Sequence, residues 1–120
     1  MAKKRILFVD DDKDLVDVVE LVLIHGGYIV ETACCGEEAF NKVKTKEFDL
    51  VIADVRMPGM DGLELLNKLQ DTVRGIKVIV ITGYITIYSV LQAIRRGADD
   101  FLMKPVGNDD LLKCVRGVLC

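Results

Sequence analysis

Apolar residues along this chain alternate between short continuous runs and spacings of three and four, and that change of period predicts five strands interleaved with five helices. Arg5 to Val9 (RILFV) reads as a first strand. From Lys13, Leu15, Val18, Val19, Val22 and Leu23 recur at helical spacing until Gly26 and Gly27 stop the helix. Tyr28 to Thr32 makes a second strand, and after Cys35 and Gly36 the positions Ala39, Phe40 and Val43 mark a second helix that gives way near Lys46. Leu50 to Ala53 is an unbroken apolar run, the pattern of a strand buried on both faces, and Asp54 stands at its carboxyl end. Asp61 and Gly62 open a third helix with Leu63, Leu65, Leu66 and Leu69 on its apolar side, running to about Val73. Ile76 to Ile81 is the most β-branched run in the chain and ends at Thr82 and Gly83. A fourth helix follows through Ile87, Val90, Leu91 and Ile94 to Gly97, then a short strand from Asp100 to Met103. Lys104 and Pro105 precede a last helix from about Asp109 with Leu111, Leu112, Val115 and Leu119.

Strands and helices in strict alternation imply an α/β fold, a parallel sheet with helices on both faces and right-handed crossovers. The small architecture with this element count is the doubly wound, flavodoxin-like sheet of order 2-1-3-4-5, whose switch point lies between strands one and three. Periodicity does not dictate strand order, so the order rests on precedent.

Composition narrows the class. At 120 residues and 51% apolar content, the chain is one domain, 1–120, large enough to bury a core. Net charge of -3 and a pI near 5.1 give no basic footprint for nucleic acid or an anionic membrane. No apolar run reaches the roughly 18 residues of a membrane span, and MAKKRILFVDDD is too quickly acidic for a signal peptide, so a cytoplasmic location is expected. Cys34, Cys35, Cys114 and Cys120 lack metal or redox spacing and read as free thiols. Cys120 ends the chain within a helix, which hints at a domain cut from something longer, and no output domain is expected in these residues.

In the proposed order, the carboxylates after Val9 and after Ala53 crowd one crevice. Two negative charges about 4 Å apart repel by about 4 kcal/mol at an effective dielectric of 20. A hard divalent cation removes that repulsion, and oxygen ligands with retained water suit Mg²⁺. Asp12 is the member of the Asp10 to Asp12 run suited to cap the first helix, leaving Asp10 and Asp11 for the crevice. Thr82, at the end of strand four, can donate a hydroxyl toward Asp54, although a helix-capping threonine would look the same. Lys104, about 10 Å away across two strands, has a stem long enough to bring an ammonium toward a carboxylate or phosphate. A carboxylate nucleophile, a divalent ion, a hydroxyl and a lysine together are the parts for phosphoryl transfer onto an aspartate. No glycine-rich phosphate loop is present, so a nucleotide is not the obvious donor. The single histidine, His25, falls at the end of the first helix, away from this edge.

These residues also carry a resemblance. VDDD at 9 to 12, DVRMPGMDG at 54 to 62, ITG at 81 to 83 and GADDFLMKP at 97 to 105 resemble, in order and spacing over the whole chain, the receiver domain of two-component response regulators. The resemblance implies that Asp54 accepts a phosphoryl group from a phosphohistidine on a histidine kinase or phosphotransfer protein. It implies that Asp11, Asp54 and the backbone carbonyl of Arg56 bind Mg²⁺ directly, with Asp10 acting largely through water. Thr82 and Lys104 would bind phosphoryl oxygens, and Lys104–Pro105 would be a cis bond. Phe101 falls at the switch aromatic position, and Arg56 and Tyr84 at positions that tune phosphate lifetime. Such a domain catalyses its own phosphorylation and dephosphorylation and is no conventional enzyme. Its output partner or homodimer would use the face of the fourth helix, fifth strand and fifth helix. The stretch from Thr82 to Val106 further resembles receivers attached to transcription activators with an ATPase module.

Two rivals compete with this reading. A haloacid-dehalogenase-like phosphatase also pairs aspartate with Mg²⁺, and Asp10 and Asp12 have its spacing, but Asp14 stands where a threonine or valine belongs and there is no room for a cap domain. A docking module that keeps the fold without phosphorylation is expected to lack Asp54, Thr82 or Lys104, and all three are present. A flavin phosphate would be repelled by Asp10 to Asp12.

Overall fold

The computed structural model describes residues 2–83 and 87–120, with side chains for all of these but 87–89. Five strands alternate with five helices: β1 (Arg5–Val9), α1 (Lys13–His25), β2 (Ile29–Ala33), α2 (Gly36–Thr45), β3 (Leu50–Asp54), α3 (Gly62–Thr72), β4 (Lys77–Thr82), α4 (Ile87–Arg95), β5 (Asp100–Met103) and α5 (Asn108–Leu119). The strands form one parallel sheet of order β2-β1-β3-β4-β5, as expected from the alternation and precedent.

Alternation along the central strands explains why their sequences are continuously apolar. Leu50 and Ile52 of β3, with Ile6 and Phe8 of β1 and Ile79 and Ile81 of β4, pack against Val16, Val19 and Leu23 of α1 and Leu111 and Val115 of α5. Their neighbours Val51, Ala53, Leu7, Val9, Val78 and Val80 face the other way, onto Ala39 and Val43 of α2, Leu65, Leu66 and Leu69 of α3 and Ala93 of α4. All five residues of β3 are buried.

Element boundaries differ from the pattern-based expectation by about one residue, for identifiable reasons. Tyr28 is not in β2, because its N–H bonds to the Leu23 carbonyl and closes the end of α1. Ile76 likewise belongs to the turn before β4, its N–H directed to the Val73 carbonyl, while Thr82 joins the strand by pairing with Met103. The last helix starts at Asn108, with Gly107 as its N-cap. The end of α1 at His25 is as expected. All four cysteines are free thiols.

Candidate functional site

Sheet register builds this site. Val9 of β1 pairs with Ala53 of β3, so Asp10 and Asp54 leave the sheet side by side. Alternation continues Ile6 and Phe8 into Asp10, Leu50 and Ile52 into Asp54, and Leu102 into Lys104, which places all three on the α1 and α5 side. The Lys104 ammonium lies 2.7 Å from Asp10 Oδ2 and 2.9 Å from Asp54 Oδ2. It therefore bridges both carboxylates, where the sequence pointed only to reach toward Asp54.

Each carboxylate uses its other oxygen in the same way. Asp10 Oδ1 accepts the Asp12 N–H at 3.0 Å, and Asp54 Oδ1 accepts the Arg56 N–H at 3.2 Å, two local turns that hold the side chains facing one another. Asp12 also caps α1, its carboxylate accepting the Leu15 N–H, the helix-capping role expected of it. Asp11 is exposed, whereas Asp10 and Asp54 are buried.

One oxygen each from Asp10, Asp11 and Asp54 lie within 4.8 Å of one another. This donor set, three carboxylates with one of them open to solvent, fits a hard divalent ion that keeps part of its water shell. A cavity of about 300 Å³ opens beside Asp10 and Asp11 and is lined also by Thr32, Cys34 and Glu38. Burial pushes the Asp54 carboxyl above its ordinary value. Hydrogen bonds from Lys104 and the Arg56 N–H pull it back only in part, and the charge on Asp10 adds to the rise. Burial alone would lower Lys104, but its hydrogen bonds to Asp10 and Asp54 outweigh that, and the net shift is upward.

Thr82 is buried at the end of β4, one residue beyond Ile81, the register partner of Asp54. Alternation sends it to the opposite face of the sheet from Asp54, continuing Val78 and Val80. Phe101, the register partner of Val80, is half-buried against that same core. Thr82 and Phe101 thus share a face and neighbouring strands. The Lys104 N–H donates to the Thr82 carbonyl at 2.8 Å, joining the ends of β4 and β5, and the Lys104–Pro105 bond is cis. Tyr84 lies outside the described residues.

Several contributors escape the sequence pattern. Asp49 and Asp99, each immediately before a strand, accept the backbone N–H of Arg5 at 2.8 Å and of Val78 at 2.7 Å and so secure the opposite edge of the sheet. For Asp49 the available signal is an aspartate directly preceding an apolar run; Asp99, followed by Asp100, carries no such signal. Gly62 reads in the sequence only as a helix start, yet its Cα lies hard against the backbone of Asp54.

Comparison with known proteins agrees with this geometry. The family model described as response regulator receiver domain matches residues 6–116. The chain is 39% identical over 106 residues to the transcriptional regulatory protein ZraR of Klebsiella oxytoca, covering 88% of this chain and 24% of that protein. It is 32% identical over 115 residues to the response regulator ArlR of Staphylococcus aureus, covering 96% of this chain and 52% of the relative. The chain thus spans about half or less of the length of these curated relatives. Among solved structures, a CheY-like receiver domain protein from Methanospirillum hungatei JF-1 superposes with a TM-score of 0.95 at 37% identity, covering 98% of this chain and 94% of the other.

Proposed function

The chain belongs to the response regulator receiver domain family, and from that premise we propose that it is a phosphorylation-dependent signalling switch with Asp54 as the phosphoacceptor. The observation that carries this reading is the placement of Asp54: buried, held by the Lys104 ammonium and the Arg56 N–H, and within one oxygen cluster with Asp10 and Asp11. Asp10, Asp11, Asp54 and the Arg56 carbonyl would hold Mg²⁺, with Asp10 acting largely through water, and the ion would supply positive charge to the phosphoryl oxygens.

The Asp54 carboxylate attacks the phosphorus of a phosphohistidine on a histidine kinase or phosphotransfer protein. A carboxylate–phosphorus bond forms, the phosphorus–nitrogen bond breaks, and the imidazole leaves and takes up a proton. Lys104 and the Thr82 hydroxyl hold the phosphoryl oxygens. Their work is positioning and charge stabilisation, the main terms in phosphoryl transfer. Hydrolysis of the acyl phosphate by water, in the same site, resets the switch. Arg56 and Tyr84 adjust the access and orientation of that water.

Output follows from the second face of the sheet. When Thr82 moves toward phosphate, Phe101, which shares its face, fills the space behind it and alters α4, β5 and α5. Phenylalanine has no hydroxyl, so packing alone holds the inward position. Leu91, Ile94 and Met103 are exposed on this side. A groove of about 840 Å³ runs along β5 and α5 past Leu102, Met103, Val106, Lys113 and Cys114. This face would dock an output domain or a second copy. The name of the Klebsiella relative favours control of transcription as the output, with nucleic acid contacted by another module, since this domain carries a net charge of -3. No helix among the described residues is long and apolar enough to cross a membrane, which favours a cytoplasmic role.

The test is intact mass after incubation with acetyl phosphate and Mg²⁺. The parent should gain one phosphoryl group, and Asp54→Asn or a chelator should abolish the gain. Retained incorporation in Asp54→Asn would assign another acceptor, and no incorporation under conditions where Mg²⁺ binds would favour a docking module.

A further inference from the structure

Glycine is among the poorest helix formers, yet Gly62 occupies the first position of α3. Its backbone does not explain the choice: unlike Gly27, Gly59, Gly75 and Gly97, it has no positive φ. Contact explains it. A Cβ on Gly62 would lie 2.2 Å from the Asp54 carbonyl oxygen, 2.8 Å from the Asp54 carbonyl carbon and 2.9 Å from the Val55 Cα. The obstructing atoms are backbone, so no side-chain rotation can relieve the clash. Restoring an ordinary 3.4 Å contact requires a relative shift of about 1 Å.

Neither side of the contact can yield easily. On one side, the Val55 N–H bonds to the Ile81 carbonyl at 3.1 Å and ties the end of β3 to β4. On the other, α3 is anchored by Leu65, Leu66 and Leu69, all fully buried. Between them, the Gly62 N–H donates to the Val55 carbonyl at 3.0 Å and closes the loop that carries Arg56.

We infer that Gly62 is a positioning residue for phosphoryl transfer, its bare Cα setting where the Asp54 peptide sits and hence where the Asp54 carboxylate meets Lys104 and the Asp10–Asp11 oxygens. The inference rests on Asp54 as phosphoacceptor. A side chain at position 62 moves the Asp54 backbone, and a misplacement of about 1 Å at a reacting group can reduce rates by about a hundredfold.

The experiment compares Gly117→Ala with the double variant Gly62→Ala/Gly117→Ala. Gly117 lies in α5, and a Cβ there would meet no atom within 4 Å, so alanine adds helix propensity away from the site. At a temperature where circular dichroism shows both proteins folded, phosphoryl incorporation is timed at saturating acetyl phosphate and Mg²⁺. The amide shifts of Asp54 and Val55 are recorded without metal. We expect the double variant to react at least tenfold more slowly and the two amides to shift, while those of β2 hold. A rate within twofold of Gly117→Ala, unmoved Asp54 and Val55 amides, or a double variant that does not fold would each overturn the inference, the last by making the contact structural alone. Failure of Gly117→Ala itself to take up a phosphoryl group would instead overturn the phosphoacceptor reading, and the metal-free amide shifts would then decide the placement role of Gly62.

Discussion

Replacing Lys104 by methionine keeps most of the unbranched stem and removes the charge, so it tests whether the ammonium acts as the resident counter-ion of the acidic pair. In the parent, Lys104 Nζ contacts Asp10 Oδ2 and Asp54 Oδ2, on side chains that are 0% and 8% exposed, while its own side chain is 24% exposed. Lys104→Met leaves two buried carboxylates facing one another without compensation. Breaking a buried ion pair on one side typically costs about 3–5 kcal/mol, and the partial exposure of Lys104 places the expected loss near the lower end, about 3 kcal/mol. That is a large fraction of the roughly 5–15 kcal/mol that stabilises a domain of this size. Urea denaturation at neutral pH with a chelator measures it.

Mg²⁺ then separates this explanation from a general packing defect. Any ion that binds the folded state stabilises it, by about 2.7 kcal/mol at one hundred times its dissociation constant. In the parent, the ion must compete with Lys104 for Asp10 and Asp54 oxygens; in Lys104→Met it does not. The same Mg²⁺ concentration should therefore stabilise the variant more than the parent. A metal-free loss below about 1 kcal/mol, or an equal or smaller Mg²⁺ increment in the variant, would refute the counter-ion argument.

Further outcomes follow from individual groups. Burial raises the Asp54 carboxyl, so its contribution to stability is present at low pH and lost as pH rises through the raised value; Asp54→Asn should be the more stable protein at neutral pH in metal-free thermal melts, with the gap closing below the ordinary value of 3.8. For Lys104 the net shift is also upward, so its ion pairs should persist to above 10.5 and be lost on further alkalinisation, a transition absent from Lys104→Met. Cys35 caps α2 through a long contact, its Sγ accepting the Glu38 N–H at 3.5 Å, so Cys35→Ser should raise stability by up to about 1 kcal/mol in denaturant titrations.

Much of the fold was legible because burial on both faces leaves its own signature. The unbroken run before Asp54 and the IKVIVI segment could pack only as central strands, and helical spacing after each placed the layers. Boundaries were less legible, since residues such as Tyr28 and Ile76 are apolar enough for a strand but spend their N–H groups closing the preceding turn. Hydrogen-bond partners of that kind are invisible to periodicity.

The site divides in the same manner. Residue types at the strand ends, and the like-charge crowding they imply, pointed from sequence alone to Asp10, Asp11, Asp54, Thr82 and Lys104 as one edge, with phosphoryl chemistry and a hard cation as its expected use. Which of them touch was decided by strand register and side-chain alternation. These set Asp10, Asp54 and Lys104 on one face, with the ammonium on both carboxylates, and Thr82 with Phe101 on the other. The role of Gly62 is likewise tertiary: a missing side chain has no pattern of its own, and the reason for its absence appears only when another part of the backbone is found in the space a Cβ would fill.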